Sequence, residues 1–376
     1  MNLKNLLITL VKIAASAGII GYLFYKLVGT PKGWDAFIEI WKQPKAPSLL
    51  IGGFLLLLTA VMITVVRWWY LVLALGIDFS LPAAVRIGFL GYFFNFAPMG
   101  ILTGDLLKAW ILAREKPGNR AKALASVVVD RIIGLYVLFL VASAGVFLTG
   151  FWNIDDVTVH WLCWVVLILT IVSTVGIALV LIPGFLEAPL IQWLTRIPKI
   201  GGAIESLLDA VRIYRGKRLV LFLTSLMTIP VHCLLALSLF LLAMGLRFDH
   251  KVPPRDYFAI YPISGIAQAI PLPAGPAESG IVFFYETAWL RLPEIQAELK
   301  TGTGTERAEK AKELDEAAGQ QGLILALVYR LSTILIVPIG AAYYFLGGRS
   351  EVTEVLHEAE EEGGDGDRKV PASKIS

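Results

Sequence analysis

Asn95-Phe-Ala-Pro98-Met-Gly100-Ile-Leu-Thr-Gly104-Asp105-Leu-Leu-Lys108 lies inside the apolar stretch Leu81–Ala113, and Gln268-Ala-Ile-Pro271-Leu-Pro273-Ala-Gly275-Pro276-Ala-Glu278 lies likewise inside Tyr257–Leu290. Proline within a helix removes a backbone donor and clashes with the preceding turn, and glycine weakens what remains. Each stretch is therefore expected to turn back on itself as a helical hairpin. The breaks fall at Pro98, Gly100 and Gly104 in the first and at Pro271, Pro273 and Gly275 in the second. Irregular backbone at membrane depth survives only where protein buries it or a wet cavity bathes it, so both breaks are candidate site walls.

The surrounding chain justifies speaking of a membrane. Of 376 residues 56% are hydrophobic and only 17% charged, against about 25% charged in soluble domains. A helix needs about 20 apolar residues to cross a hydrocarbon core. Six runs qualify: Leu6–Leu27, Leu49–Gly76, Leu124–Thr149, Trp161–Ile182, Leu219–Met244 and Leu323–Leu346. Trp68, Trp69, Trp152, Trp161, Tyr343 and Tyr344 stand near their ends, where amphipathic rings settle at interfaces. The first run carries Lys12 and is too long for a signal-peptide core, so it is expected to be retained. The expected architecture is an all-α polytopic membrane protein with six full spans and two broken re-entrant hairpins. Residues 1–346 form the membrane domain, and 347–376, with Glu360-Glu361-Glu362 and Arg368-Lys369, read as a disordered cytoplasmic tail.

Other classes fall away on composition. A net charge of +3 argues against a nucleic-acid partner, and Cys163 and Cys233 lie alone in apolar runs, with neither disulfide nor metal spacing. His232, also alone in a span, reads as a packing residue, so neither metal nor cofactor is expected.

Lys and Arg orient the loops. Arg114–Lys122 holds four of them, and Glu187–Arg218 holds Arg196, Lys199, Arg212, Arg215, Lys217 and Arg218, whereas Phe151–His160 holds none. The two basic loops are expected to be cytoplasmic, as are both termini. The first hairpin then enters from the cytoplasm and the second from the opposite face. Span, broken hairpin, span recurs at residues 49–149 and 219–346 in inverted orientation. Pro98 precedes Asp105 by seven positions, and Pro271 precedes Glu278 by seven. Asp105 to Arg131 is 26 positions and Glu278 to Arg330 is 52, the second copy carrying a charged insert at about 291–321 that reads as an external helical excursion. Inverted repeats with broken helices are an architecture of secondary transporters.

The same residues carry a resemblance. Arg67-Trp68-Trp69, Gly91-Tyr-Phe-Phe-Asn95-Phe-Ala-Pro98, Gly104-Asp105-Leu-Leu-Lys108-Ala109 and Ala125-Ser126-Val-Val-Val-Asp130-Arg131 resemble the membrane region of the lysylphosphatidylglycerol synthase/flippase family, the multiple peptide resistance factor and its stand-alone flippase-like relatives. Pro271, Gly275 and Glu278 retain part of the family's second motif; Lys108 stands where Arg is common and Asp130 where Glu is common. The resemblance implies translocation of a polar or aminoacylated phospholipid between leaflets of a cell membrane. The family's soluble aminoacyl-transfer domain has no counterpart in these residues, and no enzymatic activity is expected.

The residues themselves agree in kind. A phospholipid headgroup requires cations for its phosphate and carboxylates to balance them or to hold an amine. The candidates are Arg67, Asn95, Asp105, Lys108, Asp130, Arg131, Glu278 and Arg330. Asp105 is expected to pair with Arg131 or Arg330, and Glu278 with the other, in bridges that a phosphate could open. The bland alternatives are an interfacial Arg67, an Asp130 that neutralises Arg131, and salt bridges that pin hairpins to spans. Two rival functions are an integral-membrane transferase on a lipid-linked substrate and an assembly factor that transports nothing. The partners expected are a polar lipid and the bilayer; homo-oligomerisation stays open.

Overall fold

The structure is a computed structural model that describes residues 42–96, 104–182, 201–248, 250–267, 275–301 and 304–348, with scattered positions between 14 and 38 and one at 195. The run Leu6–Leu27 is described at isolated positions only; Lys12, Pro98, Gly100, Pro271, Pro273 and the tail beyond 348 lie outside the described residues.

The first half contains α1 (Pro47–Ala74), α2 (Leu81–Phe96), α3 (Gly104–Glu115) and α4 (Arg120–Leu148). Next come α5 (Val157–Leu181) and α6 (Gly201–Tyr214), then α7 (Arg218–Leu246), α8 (Tyr257–Ile266), α9 (Pro276–Trp289), α10 (Pro293–Glu298), α11 (Gly304–Ile334) and α12 (Val337–Tyr343). No strand occurs among the described residues. The fold is that of an all-α membrane protein, and five helical segments are long and apolar enough to cross a bilayer: α1, α4, α5, α7 and the composite Gly304–Leu346.

Local chemistry sets the ends. Proline at the first position of α1 and α9 loses no hydrogen bond, because the first helical N–H groups have no partner within the helix. Asp156 caps α5 by accepting from the Val159 N–H at 2.9 Å. α7 runs through Pro230 and ends where Arg247 adopts a left-handed φ of 56°.

The stretches read as hairpins are paired helices, α2 with α3 and α8 with α9. Their partners recur in order. α1 packs along α7, α3 on α4, and α9 on α11; α2 crosses α12, and α8 crosses α4. Both crossings run backbone to backbone at a glycine: a Cβ on Gly340 would meet the Phe89 carbonyl, and one on Gly145 the Phe258 carbonyl. Small residues at helix crossings are how membrane helices approach closely. α5 packs on α4, burying Val159, Cys163 and Val166, and leaves Trp161, Trp164, Ile168 and Val172 exposed along an apolar outer face.

Three expectations are corrected. Within 291–321 the described residues form α10 and the start of α11, and no break follows Gln321: α11 carries the charged sequence straight into the last span, and Leu314, Ala318, Gln320 and Gln321 are buried. Strong helix formers without proline between 304 and 334 allow this, and Gly319 and Gly322 do not stop it. The last span is two helices, because Pro338 restarts the chain as α12 after a turn at Leu335 and Ile336. Trp68 is a core residue, 2% exposed, and its indole donates to Ser126 Oγ at 3.2 Å; only Trp69 lies at the helix margin, donating to the Phe79 carbonyl at 2.7 Å.

Candidate functional site

Asp105 occupies the first turn of α3, and its carboxylate receives two cations. Lys108, three residues along the same helix, reaches Oδ1 at 3.1 Å, and Arg131 of α4 reaches Oδ2 through Nη2. Asn95 at the end of α2 closes the hairpin by accepting from the Gly104 N–H at 2.9 Å. α2 and α3 approach so closely that a Cβ on Gly104 would overlap the Gly91 carbonyl. A side chain there would push the two arms apart and carry Asp105 away from Arg131.

Arg131 and Asp130 are neighbours in sequence, and about 100° of helical rotation sends them to different partners. Asp130 faces Arg67 of α1, whose Nε donates to Oδ1 at 2.8 Å and whose Nη2 donates to the Asp130 carbonyl at 3.2 Å. The Arg67 Nη1 donates to Thr228 Oγ1 of α7 at 2.8 Å. Arg67 is 4% exposed, so it is a pin through α1, α4 and α7 rather than an interfacial arginine, and Asp130 balances Arg67 rather than Arg131. Lys108 stands within electrostatic reach of both Asp130 and Arg67, which makes these five charges one cluster.

The second half holds a second pair. Glu278 on the first turn of α9 lies 3.6 Å from Arg330 Nε of α11. Its other oxygen accepts from the Gly275 N–H at 2.7 Å, closing the helix start where Gly275 takes a φ of 109°. Of the two pairings open to the sequence, the structure has Asp105 with Arg131 and Glu278 with Arg330.

Tyr92 of α2 links the halves: its hydroxyl donates to the Thr333 carbonyl at 3.3 Å and stands within electrostatic reach of Arg330 and of Tyr261 in α8. Tyr329 lies near Glu278, with its ring 6.0 Å from that of Tyr261. His232, one turn from Thr228, contacts the Gly134 carbonyl through Nε2 at 3.3 Å, while its buried Nδ1 has no hydrogen-bond partner. Among the described residues no three of His, Cys, Asp and Glu gather as a metal site.

Thr228, Tyr92, Tyr261 and Tyr329 belong to this network and were not among the sequence candidates. Thr224 and Thr228, one turn apart in an apolar span, were the signal for the first; tyrosines within apolar stretches carry no comparable mark.

In the short turn before α8, outside the five candidate spans, burial pushes the Asp256 carboxyl above its ordinary range, against the opposing pull of Arg255 and Arg291. Asp256 Oδ1 is buried without a hydrogen-bond partner, and Arg255 Nε lies 3.5 Å away.

Fold and site together define a polytopic all-α membrane protein with a charge network tying paired helices to spans. Residues 9–288 match the family described as lysylphosphatidylglycerol synthase TM region, and the chain belongs to that family. No curated protein matches the chain.

Proposed function

We propose that the protein is a lipid flippase-like transporter that moves a polar or aminoacylated phospholipid between the leaflets of a cell membrane, without catalysing a covalent step. One observation carries this reading. An acidic residue at the first turn of a hairpin's second arm pairs with an arginine on the span that arm packs against, once in each half: Asp105 with Arg131, and Glu278 with Arg330. The order of packing, with α2 on α12 and α8 on α4, supports an inverted repeat in which the hairpins re-enter from opposite faces. Family membership supports a lipid as the cargo.

In this reading the charges serve a headgroup that must cross hydrocarbon. A charged side chain at mid-bilayer costs about 2.5–3.5 kcal/mol on insertion scales, which mutual pairing offsets while the site is empty of lipid. A headgroup phosphate then substitutes for a carboxylate at an arginine, and the acyl tails stay outside. The termini and the basic segments 114–122 and 187–218 face the cytoplasm.

The test is a flipping assay in liposomes carrying fluorescent phosphatidylglycerol, comparing wild type, Arg131→Ala and Glu278→Gln at equal folded yield. Wild type is expected to accelerate exchange, and both variants to slow it. Exchange at the rate of protein-free vesicles in all three would refute transport; equal acceleration in all three would refute the role of the pairs.

A further inference from the structure

The two ion pairs are built differently. Around Asp105 the charges do not balance: Arg67, Lys108 and Arg131 stand against Asp105 and Asp130, three positive against two negative. The Arg67 guanidinium is spent on Asp130 and Thr228, so the surplus lies nearest Asp105, where an ammonium and a guanidinium share one carboxylate. Glu278 meets Arg330 Nε at 3.6 Å.

Exposure and hydrogen bonding differ in the same sense. The Arg131 side chain is 64% exposed over an Asp105 that is 14% exposed, whereas Arg330 and Glu278 are 24% and 8% exposed. Both carboxylate oxygens of Asp105 are spent on the two cations. Glu278 spends one oxygen on the Gly275 N–H, so pulling it from Arg330 also disturbs the cap that starts α9.

We propose that Arg131 and Lys108 form a binding subsite for a phosphate-ester anion, with Asp105 as its internal stand-in, and that the Glu278–Arg330 pair is a lock that takes no anion. A carboxylate held between a guanidinium and an ammonium occupies the place of a phosphate bound by the same groups, since planar arginine donors suit both anions. The surplus positive charge favours an added anion. The two halves then divide the labour: the first binds the headgroup, and the second fixes the hairpin against α11. This rests on the lipid-transport reading for the source of the anion.

Equilibrium retention of lipid by the full-length protein in detergent, read by native mass spectrometry, tests the subsite without any transport step. The probes are phosphatidylglycerol and a diacylglycerol with the same tails but no phosphate. Wild type is expected to retain the phosphatidylglycerol preferentially. Asp105→Asn, which removes the competing carboxylate, is expected to raise that preference about fivefold or more, a gain that misfolding cannot produce. Arg131→Gln is expected to abolish it and Arg131→Lys to restore part. Glu278→Gln is expected to lower folded yield without raising the preference. A preference unchanged or reduced by Asp105→Asn, or raised as much by Glu278→Gln, would overturn the proposal. Inorganic phosphate that competes as well as the lipid headgroup would assign the subsite to the free ion and overturn the lipid source. Preferential retention without flipping in liposomes would defeat the transport reading and leave the subsite standing; flipping without phosphate preference would do the reverse.

Discussion

Replacing Arg67 by methionine removes a guanidinium that donates to Asp130 twice and to Thr228 once, and leaves the Asp130 carboxylate, 17% exposed, without its cation. Removing one partner of a buried ion pair costs about 3–5 kcal/mol, because the remaining charge is stranded. Thr228 loses little, since its hydroxyl still donates to the Thr224 carbonyl at 2.7 Å. Asp130→Leu should cost a similar amount by stranding Arg67. The double variant Arg67→Met/Asp130→Leu replaces the pair by apolar side chains and should recover most of the loss, so the coupling should exceed either single loss, at about 5 kcal/mol or more. The assay is a double-mutant cycle by denaturant unfolding in mixed micelles, followed by tryptophan fluorescence, with Trp68 next to Arg67 in the chain as reporter. Additive losses, or a double variant no better than either single one, would refute the view of Arg67 as a pin through three helices.

Two further outcomes follow from the same coordinates. Gly104→Val places a branched side chain against the Gly91 carbonyl, so the arms of the first hairpin must separate; folded yield should fall sharply, and Gly176→Ala in α5, with open space around it, should fall less, by comparison in a detergent-stability screen. For Asp256 the sign is set by its raised pKa: the folded state binds the proton more tightly than the unfolded chain, so its contribution is fully present below about pH 4 and is lost as pH rises through the folded value. Asp256→Asn should therefore raise thermal stability at pH 7 and lose that advantage at pH 4, as a melting series across pH would show.

Much of this is legible in the amino-acid sequence. The expected hairpins, 81–113 and 257–290, hold α2 with all but the last residues of α3, and α8 with α9, because proline and glycine punctuate apolar sequence wherever it lies. The carboxylates and arginines stood out because charge in an apolar run is costly and needs a partner. Which arginine belongs to which carboxylate was not legible, since it depends on how α4 and α11 dock. The fate of Asp130 turned on one helical step that aims it at Arg67. Continuity of α11 through residue 321 was hidden because the polarity of the sequence changes there while its helix propensity does not. Tyr92 and Thr228 act through tertiary neighbours 241 and 161 positions away, beyond any local pattern.

Opposed entry of the two hairpins is what the transport reading needs most. In a protein with Cys163 and Cys233 replaced by alanine, Lys116→Cys beside α3 and Glu294→Cys beyond α9 can be labelled with a membrane-impermeant maleimide from each face of a sealed vesicle. Labelling of position 116 only from the cytoplasmic face and of position 294 only from the opposite face is the predicted result; labelling of both from one face would contradict the inverted arrangement.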